Sequence, residues 1–209
     1  MGLVINTNTM AINAQRNLSN TTSRLSTSMA RLSSGKRITA AKDDAAGLAI
    51  SEKLKASIRG LGQAERNAND GISLVQTAEG AMDEISGMLI RMRELSVQAA
   101  NGTTDSAQKG FLNNEFSQLA TEITRIADST TFNGTQLLNG SSSVALQVGT
   151  GTSSSVDQMT VNLVDVSADT TTMGNVASDN ISTASGALTA VEHLDTAITN
   201  LSEQRGKLG

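Results

Sequence analysis

The chain of 209 residues contains no cysteine, no proline, no tryptophan and no tyrosine, with three phenylalanines and one histidine. Without cysteine there is neither a disulfide framework nor a thiolate metal site, and stability does not depend on redox state, which suits work outside a cell. Aromatic side chains usually dominate core energetics, so burial here falls to Leu, Ile, Val, Met and Ala spread along narrow stripes. Positive charge is also short, with 16 Lys and Arg against 20 Asp and Glu and a formal net charge of -4. That balance gives no electrostatic reason to expect nucleic acid or an anionic membrane as a partner. No segment approaches the ~20 apolar residues of a membrane span. The start Met1-Gly2-Leu3-Val4-Ile5-Asn6 lacks the charged and apolar regions of a secretory signal, so the general secretory route is not expected.

What is present is helical periodicity that no proline interrupts. In the stretch Ala41 to Ala100, apolar residues at Leu54, Ile58, Leu61, Ala68, Ile72, Val75, Met82, Ile85, Leu89 and Met92 trace one stripe along a helix. At about 1.5 Å per residue such a helix runs to roughly 80–90 Å. A rod of that length needs a partner along its whole length, which the rest of the chain and other copies of the molecule supply between them. Gly60, Gly62, Gly71, Gly80 and Gly87 interrupt it, each at a cost of about 1 kcal/mol relative to Ala, which close helix contact would offset. Asp43 and Asp44 fit a helix start better than a metal site, because no other acidic or His ligand accompanies them.

Upstream, Ala11, Leu18, Leu25 and Leu32 stand at strict seven-residue spacing among Ser, Thr and Asn. One large apolar residue per heptad buries little, so this seam predicts a helix that is marginal or disordered in a monomer and orders on assembly. Ser33-Ser34-Gly35 followed by Lys36-Arg37 marks its C-terminal end. Downstream, Leu112, Phe116, Leu119, Ile123 and Ile126 define a second core helix. Asn133-Gly134 and Asn139-Gly140 are turn signals. Val144, Leu146 and Val148 alternate, as do Met159, Val161 and Leu163, giving a β-hairpin around the flexible Gly149 to Ser155, the one β element expected. Residues 167–182 read as an exposed connection of low order. Helix returns at Thr183 with Leu188, Val191, Leu194, Ile198, Leu201 and Leu208 on one stripe. The chain stops at Gly209 inside that pattern, so a longer natural chain is expected.

The fold class is therefore mainly α, a long α-helical bundle or coiled coil with a small β-hairpin region. Four segments are expected: an inner coiled-coil segment at 1–40, the long-helix core at 41–140, a short variable region with the hairpin at 141–182, and a returning core helix at 183–209. No catalytic constellation is apparent. His193 has Glu192 and Asp195 nearby but no nucleophile motif, and reads as a surface or groove histidine. There is no zinc motif, phosphate loop or dinucleotide fingerprint, so no enzyme activity, cofactor or metal is expected.

The runs from Ser26 to Ile38 (STSMARLSSGKRI) and from Asp43 to Ser51 (DDAAGLAIS) resemble the N-terminal signature of bacterial flagellin. Arg66-Asn67-Ala68-Asn69-Asp70-Gly71-Ile72-Ser73, the run from Arg93 to Thr103 and Phe132-Asn133-Gly134 match in order and spacing, and Arg205 to Gly209 resembles the opening of the C-terminal signature. The resemblance implies a secreted structural subunit of the flagellar filament, exported through the flagellum's own apparatus and added at the tip. Its implied partners are other flagellin subunits, the filament cap and hook-associated proteins, the export apparatus and an export chaperone. The family continues beyond the equivalent of Gly209 with a helix that pairs with the N-terminal one and carries the chaperone's site. The resemblance further implies recognition by the host Toll-like receptor for flagellin at Arg91, Leu95 and Glu115, with Leu95 expected to be exposed beside Arg91. Ile90 departs from the polar residue often found there. The alternatives are a hook-filament junction protein and a secreted monomeric signalling or adhesive ligand.

Overall fold

A computed structural model describes residues 8–140 and 143–209. In chain order the elements are α1 (Thr9–Ser34), α2 (Ala45–Ala100), α3 (Ser106–Ser129), β1 (Thr131–Phe132), β2 (Thr135–Gln136), β3 (Ser143–Gln147) and β4 (Gln158–Asn162). Two short 3-10 turns, Thr171–Met173 and Val176–Ser178, precede α4 (Ala184–Leu208). The mainly helical fold with a small hairpin region is thus as the periodicity predicts. The chain divides into two compact units, Met1–Arg59 and Gly60–Gly209, and the division falls inside α2. No described helix is long and apolar enough to cross a membrane.

In the first unit, α1 opens with the Asn8 side chain accepting from the Ala11 N–H at 3.2 Å and closes at Gly35, whose φ of 63° is left-handed and favours glycine. Asp44 caps the start of α2, as expected, whereas Asp43 holds the turn that precedes it. Asp43 accepts from the Thr39 hydroxyl at 2.8 Å and from the N–H groups of Thr39 and Ala40, while Asp44 accepts from the Gly47 N–H at 2.8 Å at the start of α2. The hydroxyl of Thr39, first among these donors, holds the Asp43 carboxyl below its ordinary value of 3.8. A depressed carboxylate contributes stability above its unfolded value and loses it as pH falls through the folded one. Replacing Thr39→Val therefore raises the Asp43 titration midpoint towards 3.8, as read by carboxyl NMR; an unmoved midpoint would refute the assignment.

The second unit has a true core. From Leu74 onward α2 buries Ala78, Met82, Ile85, Leu89, Met92, Leu95 and Ala99 against Phe116, Ala120, Ile123 and Ala127 of α3 and Ala187, Ala190, Leu194, Ala197 and Leu201 of α4. The inward face of α4 carries Ala187, Ala190 and Ala197 beside Leu194 and Leu201, and the larger Leu188 of the expected stripe turns outward at 61% exposure. Upstream on α2 the expected stripe is also not the buried one. Leu61 and Ile72 are exposed, and Ala64 and Gly71 are buried in their place. The neighbour there is the hairpin. A side chain at Gly71 would collide with Leu146, and one at Gly60 would meet Thr150 at 2.8 Å, so the face turned to the hairpin must be small. Gly62, Gly80 and Gly87 face open space, so helix contact within this chain does not explain them.

The hairpin pairs Val144 with Val161 and Leu146 with Met159. A second, two-residue hairpin was not expected: Thr131 pairs with Gln136 and Phe132 with Thr135 across Asn133 (φ 48°) and Gly134 (φ 80°), both left-handed as a primed turn requires. The larger correction concerns residues 167–182. Ala168, Met173, Val176 and Ile181 are fully buried there, and the backbone is tied down by Asn113 and Asn200 side chains at Ile181 N–H (2.8 Å) and Thr172 carbonyl (2.7 Å). Four apolar residues spaced through a Ser/Thr/Asp-rich run are enough to cover one end of the core, although they show neither helical nor strand periodicity.

Candidate interaction surfaces

Helix α1 leaves all of its surface unpaired within the chain. Its residues are polar enough to satisfy themselves: Thr21, Thr22 and Thr27 donate their hydroxyls to carbonyls one turn back at 2.8–3.0 Å. Its large apolar residues have no such outlet. Leu18, Leu25 and Leu32 are 68%, 58% and 81% exposed, and Ala11 is exposed with them. No residue from 8 to 59 is buried. On α2 within this unit, Ile50, Leu54 and Ile58 are likewise exposed.

A second surface lies where α2 and α3 run side by side. The Arg91 guanidinium donates to Glu115 through Nε at 3.0 Å and to Glu94 at 3.1 Å, with its other terminal nitrogen 2.9 Å from Glu115. The side-chain hydrogen bond to Glu115, then that to Glu94, raises the Arg91 pKa further above its ordinary value. Arg91 and Glu115 are thus brought together at the surface. Leu95 is not with them. At 1% exposure it belongs to the core, because it continues the buried line through Met92 and Ala99. The exposed apolar groups on this surface are instead Ile90, next to Arg91, and Phe111, one helical turn before Glu115 and 74% exposed. Their signal was available: 92, 95 and 99 share a helical face, which leaves 90 and 94 on the other.

The lone histidine joins two elements. With its hydrogen on Nδ1, His193 of α4 donates to Asp179, 2.9 Å from one carboxylate oxygen and 3.0 Å from the other. Burial raises the Asp179 pKa from its ordinary 3.8, and the His193 hydrogen bond opposes the shift. Gly174 (φ 66°) lies so close to the His193 carbonyl that a side chain there would meet it at 2.7 Å. The pair fastens the end of the 167–182 segment to α4. Arg93 to Asp195 (2.6 Å) and Arg205 to Asp83 (3.0 Å) tie α2 to α4 at the surface.

Comparison with known proteins bears on these surfaces. Residues 5–143 match the family model described as the bacterial flagellin N-terminal helical region. Over 208 residues the chain is 46% identical to a flagellin of Halalkalibacterium halodurans, covering 99% of this chain and 75% of that protein. Over 177 residues it is 50% identical to polar flagellin C of Vibrio parahaemolyticus, covering 84% of this chain. The chain spans 45% of the length of that Vibrio relative. Among solved structures, Bacillus cereus flagellin matches 69% of this chain and 81% of its own with a TM-score of 0.60 and 34% identity. A FliC structure from Burkholderia pseudomallei shares the fold at a TM-score of 0.53 and 19% identity, over 66% of this chain and 97% of its own.

Proposed function

The chain belongs to the bacterial flagellin family, and on that footing we propose that it is a structural subunit that assembles with other copies into the extracellular flagellar filament that drives swimming. The observation that carries this reading is that no residue between 8 and 59 is buried, although the segment displays a seven-residue leucine seam. A segment that buries nothing gains no stability from its own chain and must gain it from neighbours. Parallel packing of helices, rather than catalysis, is the work of this molecule. Filament cap and hook-associated proteins, the export apparatus and an export chaperone are its other proposed partners.

Seeded growth tests the assignment. Purified chain, alone and joined to a C-terminal helix that pairs with the Leu18, Leu25 and Leu32 seam, is mixed with short filament fragments and followed by electron microscopy. Growth in either form supports a filament subunit. Failure of both forms transfers the reading to a hook-filament junction protein or a monomeric ligand.

A second reading concerns the Arg91 surface, where a guanidinium held by two carboxylates stands beside exposed Ile90 and Phe111. An anchored Arg among exposed apolar groups has the composition of a small binding hot spot, and we assign it to the host receptor for flagellin. Arg91→Ala is expected to weaken receptor signalling by about tenfold without changing thermal stability. Leu95→Ala acts differently, lowering the melting temperature first, because Leu95 supports the surface from the core. Unchanged signalling by the Arg91 variant would refute this assignment.

A further inference from the structure

Three Asn-Gly pairs occur in the chain, Asn101-Gly102, Asn133-Gly134 and Asn139-Gly140. An asparagine before glycine is the side-chain amide that cyclises most readily on its own backbone, because glycine has no Cβ to shield the attacking nitrogen. Space beside the glycine does not separate the three, since a side chain at Gly102, Gly134 or Gly140 would meet nothing within 4 Å. What separates them is restraint. Asn133 lies at φ 48° in a primed turn whose flanks pair, Phe132 with Thr135 and Thr131 with Gln136, so swinging the next peptide nitrogen onto its side chain means undoing the hairpin. Asn139 donates its side-chain nitrogen to the Asp128 carboxylate. The preceding Leu138 is fully buried, and its carbonyl accepts from the Val166 N–H at 2.9 Å.

Asn101 is held differently. It follows the last residue of α2 and is exposed together with Gly102 and Thr103. Its side-chain oxygen accepts from the Thr103 N–H at 3.2 Å, closing a ring that contains the Gly102 nitrogen. That bond draws electron density from the side-chain carbonyl carbon, while the side-chain nitrogen and the Gly102 N–H have no partner among the described residues. We propose that Asn101 is a site of spontaneous self-modification, at which the Gly102 nitrogen displaces the side-chain amide and water completes the conversion to aspartate and isoaspartate. In the first step the Gly102 N–H gives its proton to water or hydroxide and its nitrogen bonds to the Asn101 side-chain carbonyl carbon. The carbon–nitrogen bond of the side-chain amide breaks, and ammonia leaves. In the second step water adds to either carbonyl of the resulting succinimide and breaks that carbonyl's bond to the Gly102 nitrogen, which regains a proton. Opening at the backbone carbonyl gives isoaspartate, and opening at the side-chain carbonyl gives aspartate. The sum consumes water and releases ammonia, with no oxidant or reductant. Both products put a carboxylate at the C-terminal end of α2, the negative end of its dipole, and isoaspartate also lengthens the backbone by a methylene. The turn there is closed by Thr104, whose N–H donates to the Asn101 carbonyl at 3.2 Å and whose hydroxyl donates to the Gln98 carbonyl at 3.1 Å. Isoaspartate breaks that registration just ahead of Asp105, which caps α3, so the joint between α2 and α3 loosens with age. The site needs no partner and stands apart from the assembly reading above.

The test incubates the full chain at mildly alkaline pH and then digests it with trypsin. The peptide Glu94–Lys109 holds Asn101 as its only asparagine, and the peptide Ile126–Arg205 holds Asn133 and Asn139. Mass spectrometry with fragmentation reads amide-to-acid conversion at each site, and methyl transfer by an isoaspartyl methyltransferase reads isoaspartate. Asn101 is expected to convert about tenfold or more faster than either of the others, the factor that a charged hydrogen bond or a closed turn imposes on a rate. In urea, where no fold holds any of the three, their rates converge. Asp128→Ala, which frees the Asn139 amide, raises conversion at Asn139 about tenfold and leaves Asn101 unchanged. Asn101→Gln, whose cyclisation needs a larger ring, stays unmodified and keeps its amide exchange at residues 102–106 through the same incubation, whereas exchange there rises in the converted parent. Conversion at Asn133 or Asn139 ahead of Asn101 in the folded chain, or the same ranking in urea, would overturn the proposal. Unchanged exchange in the converted parent would overturn the loosening of the joint.

Discussion

Replacing Leu18, Leu25 and Leu32 together by serine abolishes growth of the assembly-competent chain onto filament seeds and leaves the melting of the free chain unchanged. The second half of this result follows from exposure: the three side chains are 68%, 58% and 81% accessible and no residue on α1 is buried, so their removal forfeits no packing. Surface substitutions of that kind fall within about 0.5 kcal/mol. The first half follows from what assembly does to the same atoms. Fully burying a leucine is worth about 1.5–3 kcal/mol, so three of them contribute roughly 5 kcal/mol or more per subunit. That corresponds to more than a thousandfold rise in the critical concentration, measured as protein left in the supernatant after sedimenting filaments. Amide exchange gives an independent reading, with residues 11–32 unprotected in dilute chain and protected in filaments. Normal growth of the triple variant would show that the seam is not an assembly surface, and strong protection in dilute chain would show that α1 is stable without neighbours.

Helices α3 and α4, the downstream part of α2 and the β3–β4 hairpin are legible because each buries one face, the condition under which period 3.6 or period 2 appears in a sequence, whereas α1 shows a seven-residue seam although it buries nothing in this chain. Legibility failed where the neighbour changes along an element. Upstream of Leu74, α2 meets a hairpin, so the inward line is Ala64 and Gly71, and the larger Leu61 and Ile72 that carry the visible periodicity point away. Likeness to a family pattern points Leu95 to the surface, whereas its own spacing from Met92 and Ala99 puts it inside. Residues 167–182 look exposed in sequence because their burial depends on tertiary capping by Asn113 and Asn200, 68 and 28 residues away from their backbone partners.

Phe116→Ala is expected to cost the 60–209 unit about 3–5 kcal/mol, whereas Phe111→Ala, five residues earlier on α3, costs less than about 0.5 kcal/mol. The two phenylalanines share a helix and a chemistry and differ in placement, at 1% and 74% exposure. Phe116 is the largest fully buried side chain of the molecule and stands where α2, α3 and α4 share one core, with no tryptophan or tyrosine elsewhere to carry the load. Truncation leaves a cavity in this shared core, and the close packing around it relaxes only in part. For a unit of this size the loss lowers the melting temperature by roughly 10 °C, followed by far-ultraviolet circular dichroism. It should fall on the cooperative transition alone, since α1 buries nothing and contributes no cooperative unfolding of its own. Equal effects of the two substitutions would mean that the three-helix core does not hold the second unit together. Loss of receptor signalling by the Phe111 variant at unchanged melting would show that this exposed ring is used at the Arg91 surface and not in the fold.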